Sequence, residues 1–142
     1  MSPAKRPNLL PWAYVAALAA TIVFASGRSV VVAPDIVDFD KVAHFFIYGL
    51  LATLVTRAGF PERRAWAAVV IVSLFGLTDE WHQSFTPGRA VEITDWVADT
   101  LGAITAVALY RKWQAYRLWL ENPLWAGKAR VENRPEVVPN LP

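Results

Sequence analysis

Apolar positions fall into four blocks, residues 10–26, 42–58, 65–78 and 93–110, separated by short stretches rich in charge, glycine or proline. A helix crossing the hydrocarbon core needs about 20 residues, with a lower limit near 17. The first, second and fourth blocks reach that limit. The third reaches it only if the helix runs on through DEWHQSF to Phe85. The pattern predicts an all-α, polytopic membrane protein: a four-transmembrane-helix bundle over residues 1–112, an interfacial helix extension over 113–122 and a proline-rich, extended tail over 123–142.

Composition agrees with that expectation. Of 142 residues, 55% are hydrophobic and only 18% charged, against about 25% charged in a soluble domain. Seven Trp and four Tyr suit bilayer interfaces. The absence of cysteine excludes disulfides and thiolate metal sites. A net charge of +2 gives no reason to expect nucleic acid. Eleven of the fourteen basic residues lie in the N-terminal arm, the 57–64 turn and the C-terminal tail, leaving Arg28, Lys41 and Arg89 on the other side. Basic loops favour the cytoplasm, so both termini are expected there, in a bacterial cytoplasmic (inner) membrane. A signal peptide is the competing reading of the first block, although its apolar run is long for one.

The acidic residues sort the other way. Asp40, Asp79, Glu80, Glu92, Asp95 and Asp99 all fall at the predicted outer end. Lys41, His44 and Tyr48 share one helical face, and Asp79 and Gln83 are spaced i, i+4. Asp95, Asp99, Gly102 and Ala106 form a second stripe, polar above and small below. Small residues let membrane helices approach closely. A charge at the centre of a membrane helix costs at least about 2.5–3.5 kcal/mol, so these side chains should face one another inside the bundle. Six acids against Lys41 and Arg89 are not self-neutralising. A proton, a cationic histidine or a bound cation must balance them, with Asp99, one turn below Asp95, expected to hold a proton. Each member also has a structural reading. His44 can be a packing residue, Asp95 a helix-start carboxylate, and Arg89, Glu92 and His82 solvated or interfacial groups.

The stretches DKVAHFFIYGLL (residues 40–51) and DEWHQSFTPGRAVEITDWVADTLGA (residues 79–103), set in four apolar blocks, resemble the VanZ-like family. The positions that carry the resemblance are Asp40, Lys41 and His44, then Asp79, Glu80 and Gln83, then Arg89, Asp95, Asp99 and Gly102. Where that family usually has Asn, this chain has Asp99. The resemblance spans about residues 30–110 and implies a small bacterial membrane protein. One member of the family is linked to low-level resistance to the glycopeptide teicoplanin, and no biochemical activity is implied with it.

Three functions compete at this point. In the first, the polar cluster is a ligand-binding or proton-handling site on the outer face, formed by Asp40, Lys41, His44, Asp79, Glu80, Gln83, Arg89, Asp95 and Asp99. Lys41 and Arg89 would hold an anionic lipid or cell-wall-precursor head group. In the second, His44 with Asp79 and Glu80 binds a metal that supports hydrolysis or transfer of a lipid-linked head group. In the third, the chain is an accessory or assembly subunit of a larger membrane complex, docked through its C-terminal tail. No cofactor is assigned by the sequence.

Overall fold

The computed structural model describes residues 9–28, 39–60, 62–89 and 91–121. The expectations for Lys5, Arg6 and the tail with its partner-docking role lie outside these residues. The chain forms α1 (Leu10–Ser26), α2 (Phe39–Gly59), a 3-10 turn (Glu62–Arg64), α3 (Trp66–Gln83), α4 (Ile93–Lys112) and a short α5 (Gln114–Glu121), with no strand among the described residues.

The helix ends follow local chemistry. A proline in the first turn starts α1, where a missing N–H is harmless. The second helix begins three residues before its apolar block, which brings Asp40 and Lys41 onto the helix. The third runs through the acidic pair and ends at Gln83, two residues short of the expected Phe85. Trp113 takes an extended conformation (φ −105°, ψ 92°) at the end of α4. The aromatic, basic segment after it is therefore a separate amphipathic helix rather than a continuation of α4.

The four long helices alternate in direction. At one end, Trp12 of α1 lies against Gly59 of α2, Arg111 of α4 stacks over Trp66 of α3, and Arg117 of α5 pairs with Glu62. At the other end, Ser26, Lys41, His44, Asp79 and Asp95 meet. Among the described residues, the basic turn and the α4–α5 cations thus lie at one end of the bundle and the acidic cluster at the other.

Helix α2 packs most extensively on α4, α3 next on α4, and α1 lies against α2. The core is Tyr48, Leu51, Ala52, Val55, Ala68, Val72, Ala103 and Val107 with their neighbours. Two glycines set the α2–α4 distance. A Cβ on Gly102 would land on the Phe45 carbonyl oxygen and lie 2.8 Å from its carbon, and one on Gly49 would lie 3.1 Å from the Gly102 oxygen.

Exposure is inverted relative to a water-soluble bundle. Val42, Phe46 and Leu50 of α2, Val70, Leu74 and Trp81 of α3, and Val97 and Leu101 of α4 are exposed, while Asp79, Glu80, Gln83, Asp95 and Asp99 are buried. By length and composition, α2 alone among the described helices is long and apolar enough to cross a membrane, and α1 is apolar but has 17 residues. The acids in α3 and α4 lower the hydropathy of those helices, although Asp79, Glu80, Asp95 and Asp99 point inward.

Gly102→Ala tests the close approach. Alanine is intrinsically the better helix former by about 1 kcal/mol. Displacing a neighbouring backbone should cost more, about 1–3 kcal/mol, so thermal unfolding in detergent should shift downward. An unchanged or raised midpoint would contradict the packing described.

Candidate functional site

Each long helix delivers at least one buried polar side chain to the same end of the bundle. On α2, Lys41, His44 and Tyr48 occupy successive turns of one face. The Lys41 Nζ donates to Asp40 Oδ2 (2.9 Å), Glu92 Oε2 (3.1 Å) and Asp95 Oδ1 (2.8 Å). One turn deeper, His44 Nδ1 lies 2.8 Å from Asp99 Oδ1 and Nε2 lies 3.8 Å from Asp95 Oδ2. One turn deeper again, the Tyr48 hydroxyl donates to Asp79 Oδ2 (3.1 Å). The His44 and Tyr48 rings stack with centroids 5.9 Å apart. The spacing that made these residues one stripe therefore makes them a ladder, linking α2 to α4 twice and then to α3.

The two acids of α3 have separate environments. Asp79 also accepts from Ser26 Oγ (2.7 Å) and from Gln83 Nε2 (3.3 Å). It is a carboxylate held by neutral donors from three helices. Glu80 accepts from the backbone N–H of Glu92 (3.0 Å), with Gln83 Nε2 at 3.5 Å from its other oxygen. That bond fixes the loop at the point where α4 begins.

Arg89 is positioned by the turn before it. The Arg89 N–H donates to the Thr86 carbonyl (3.0 Å), and Gly88 sits at φ +82°. Proline at the second turn position and a left-handed glycine at the third are the residues a type II turn requires. The turn carries Arg89 back over the end of α3, where its Nη2 donates to Gln83 Oε1 (2.8 Å).

All nine residues expected in the site come together, but in different relations. Lys41 is engaged by three carboxylates. Arg89 makes no ion pair among the described residues. His44 is grouped with Glu80 and Asp95, whose ligand atoms lie within 4.8 Å of one another and of its own, whereas Asp79 is directed at Ser26 and Tyr48. Glu92, read from sequence as solvated, is exposed yet bonded to Lys41.

Sequence reasoning missed Ser26 and Gly76. Ser26 looked like the plain end of an apolar run. Its hydroxyl is buried and also lies 3.5 Å from His82 Nδ1. Gly76 makes room for Asp99, because a Cβ there would lie 2.7 Å from Asp99 Oδ2. That oxygen is buried and has no hydrogen-bond partner among the described residues. The signal available was spacing. Gly76 is one turn before Asp79 on α3, as Gly102 is one turn after Asp99 on α4.

Beside the ladder lies a cavity of about 240 Å³ between α1, α2 and α3. Ile22, Ala25, Phe39, Ala43 and Ile47 form its apolar wall, and Ser26, Asp40, His44, Tyr48, Asp79, Gln83 and Arg89 its polar one.

The VanZ/LLP1 family model matches residues 1–117. No curated protein matches, and no solved structure matches.

The Asp79 contacts predict a graded response. Asp79→Ala removes three bonds to one carboxylate; Ser26 keeps the Val23 carbonyl and Gln83 keeps Glu80, but the Tyr48 hydroxyl loses its acceptor, an added cost of about 1–3 kcal/mol if it stays buried, so this variant should be the least stable of the three. Ser26→Ala removes one hydrogen bond to a carboxylate and should cost about 1.5–3 kcal/mol. Asp99→Asn keeps an acceptor for His44 and removes a buried charge, so it should be neutral or stabilising. Thermal unfolding of the three variants in one detergent checks the order, and an Asp99→Asn variant less stable than Ser26→Ala would contradict it.

Proposed function

The chain belongs to the VanZ-like family, and from that premise we propose that it is a four-span inner-membrane protein whose non-cytoplasmic end binds an amphiphilic envelope molecule with an anionic head group. The inverted exposure supports the membrane part of this reading. Exposed leucine and valine on every long helix suit acyl chains, and intramembrane ionisable groups belong in the interior. Clustering of basic residues at the other end supports a cytoplasmic position for that end, and with it cytoplasmic termini.

The cavity carries the ligand part. One wall is apolar and the other polar, and its size suits a head group with the start of a tail rather than a whole lipid. Among the described cations on its lining, Arg89 has no carboxylate partner, so a phosphate or carboxylate entering the cavity would meet an unneutralised guanidinium. Arginine is suited to bidentate recognition of such groups. Lys41, held by Asp40, Glu92 and Asp95, serves the scaffold instead. The family's link with teicoplanin fits a role in handling lipid or cell-wall precursors at the outer surface.

Two experiments test the reading. The chain has no cysteine, so single substitutions report sidedness cleanly. A membrane-impermeant maleimide applied to intact spheroplasts should label Ser84→Cys, at the exposed end of α3, and leave Arg63→Cys unlabelled until the membrane is permeabilised. The reverse pattern would invert the topology and remove the envelope role. For the ligand, Arg89→Ala should reproduce the change in teicoplanin susceptibility caused by deleting the gene, while Arg63→Ala at the opposite end should not. Susceptibility unchanged by deletion would end the glycopeptide version.

A further inference from the structure

The carboxylates at the polar end do not share one balancing partner. The Lys41 ammonium sits among Asp40, Glu92 and the Oδ1 atom of Asp95, filling the place a cation would take among those three acids. Asp79 is satisfied by Ser26, Tyr48 and Gln83. Glu80 is only 1% exposed, and among the described residues it has no ion-pair partner.

Three helices bring complementary donors beside Glu80. His44 from α2, Glu80 from α3 and Asp95 from α4 each offer a ligand atom, all within 4.8 Å of one another. The His44 Nε2 to Asp95 Oδ2 separation is 3.8 Å, too long for a hydrogen bond. Two ligands about 2.1 Å from one tetrahedral ion lie about 3.4 Å apart, so His44 and Asp95 are within a few tenths of an ångström of that spacing, and Glu80, within 4.8 Å of both, completes the set by a side-chain adjustment.

The other side of the imidazole gives an independent indication. His44 Nδ1 lies 2.8 Å from Asp99 Oδ1. A carboxylate acceptor there places the proton of a neutral ring on Nδ1 and leaves the Nε2 lone pair for a ligand. Metal-bound histidines are commonly oriented by such a carboxylate.

We propose that His44, Glu80 and Asp95 form a three-ligand site for a divalent transition ion of the zinc class, with Asp99 as the positioning residue for His44. One imidazole nitrogen and two carboxylate oxygens, with a fourth position left to water or ligand, suit such an ion. Its two positive charges balance Glu80 and the half of Asp95 that Lys41 does not reach. His44 also lines the cavity. An anionic head group held by Arg89 would therefore have the ion as a neighbour, and this last clause alone rests on the cavity reading above.

The test is equilibrium dialysis of the full-length protein in detergent against zinc after chelator treatment, with metal analysis. The wild type and His82→Ala should each retain one equivalent. His44→Gln and Glu80→Gln should lose it, and Asp99→Asn should bind roughly 10–100-fold more weakly. Helical circular dichroism checks that each variant is folded. If His44→Gln or Glu80→Gln fails that check, the wild-type stoichiometry and the Asp99→Asn affinity decide. No stoichiometric zinc on the wild type, or a full equivalent on a folded His44→Gln/Glu80→Gln double variant, would overturn the proposal. Arg89→Ala should keep its zinc. Zinc retained with no Arg89 effect on teicoplanin susceptibility would remove the cavity reading and leave the metal site standing.

Discussion

The polar end depends on how closely α2 and α4 approach at Gly102. With no side chain at that position, the backbone of α2 at Phe45 lies against α4. Phe45 is the residue next to His44, and Gly102 is one turn from Asp99. The helix separation that the glycine permits is therefore the separation across which His44 reaches Asp99 at 2.8 Å. Widening it by the thickness of a methyl group would break that contact and draw Lys41 away from Asp95.

The same approach explains why the carboxylates tolerate burial. An isolated buried charge is strongly disfavoured, and burial becomes affordable in free-energy terms only where donors surround it. Asp79 has three side-chain donors. Asp95 has an ammonium, Asp99 an imidazole and Glu80 a backbone amide. Lys41, His44 and Tyr48 come from α2, Ser26 from α1, and the Glu92 amide from the start of α4. Breaking the bundle would leave several acids facing the surroundings of α3 and α4, so the polar network constrains the register of all four long helices.

Much of this was legible in the sequence. The i, i+3 and i, i+7 spacing of Lys41, His44 and Tyr48 placed them on one face, and the structure resolves that face into hydrogen bonds on five carboxylates, three from Lys41 and one each from His44 and Tyr48. The requirement that the third block extend to a full span placed Asp79 and Glu80 inside a helix. The stripe from Asp95 to Ala106 marked the face of α4 that meets α2. Partner assignment was not legible, because periodicity fixes a face and a depth but not which of two adjacent acids points to which neighbour. Asp79 and Glu80 are consecutive, so they diverge by about 100° around the helix axis, and one meets α1 and α2 while the other meets the start of α4. Ser26 carried no pattern at all, since a serine ending an apolar run is common whether or not it has a distant partner.

That divergence separates two kinds of chemistry a few ångströms apart. Asp79 faces neutral hydroxyl and amide donors and lines the cavity between α1, α2 and α3. Glu80 faces the α4 side, where His44 and Asp95 also present ligand atoms. His44 belongs to both, because it lines the cavity and its ring nitrogens address the α4 carboxylates. Anything that enters the cavity and touches His44 acts through the ring on Asp95 and Asp99, and through Asp95 on Lys41. The end of the bundle is thus a cavity and a charged cluster joined through one imidazole, and the α2–α4 distance sets the geometry of the charged cluster.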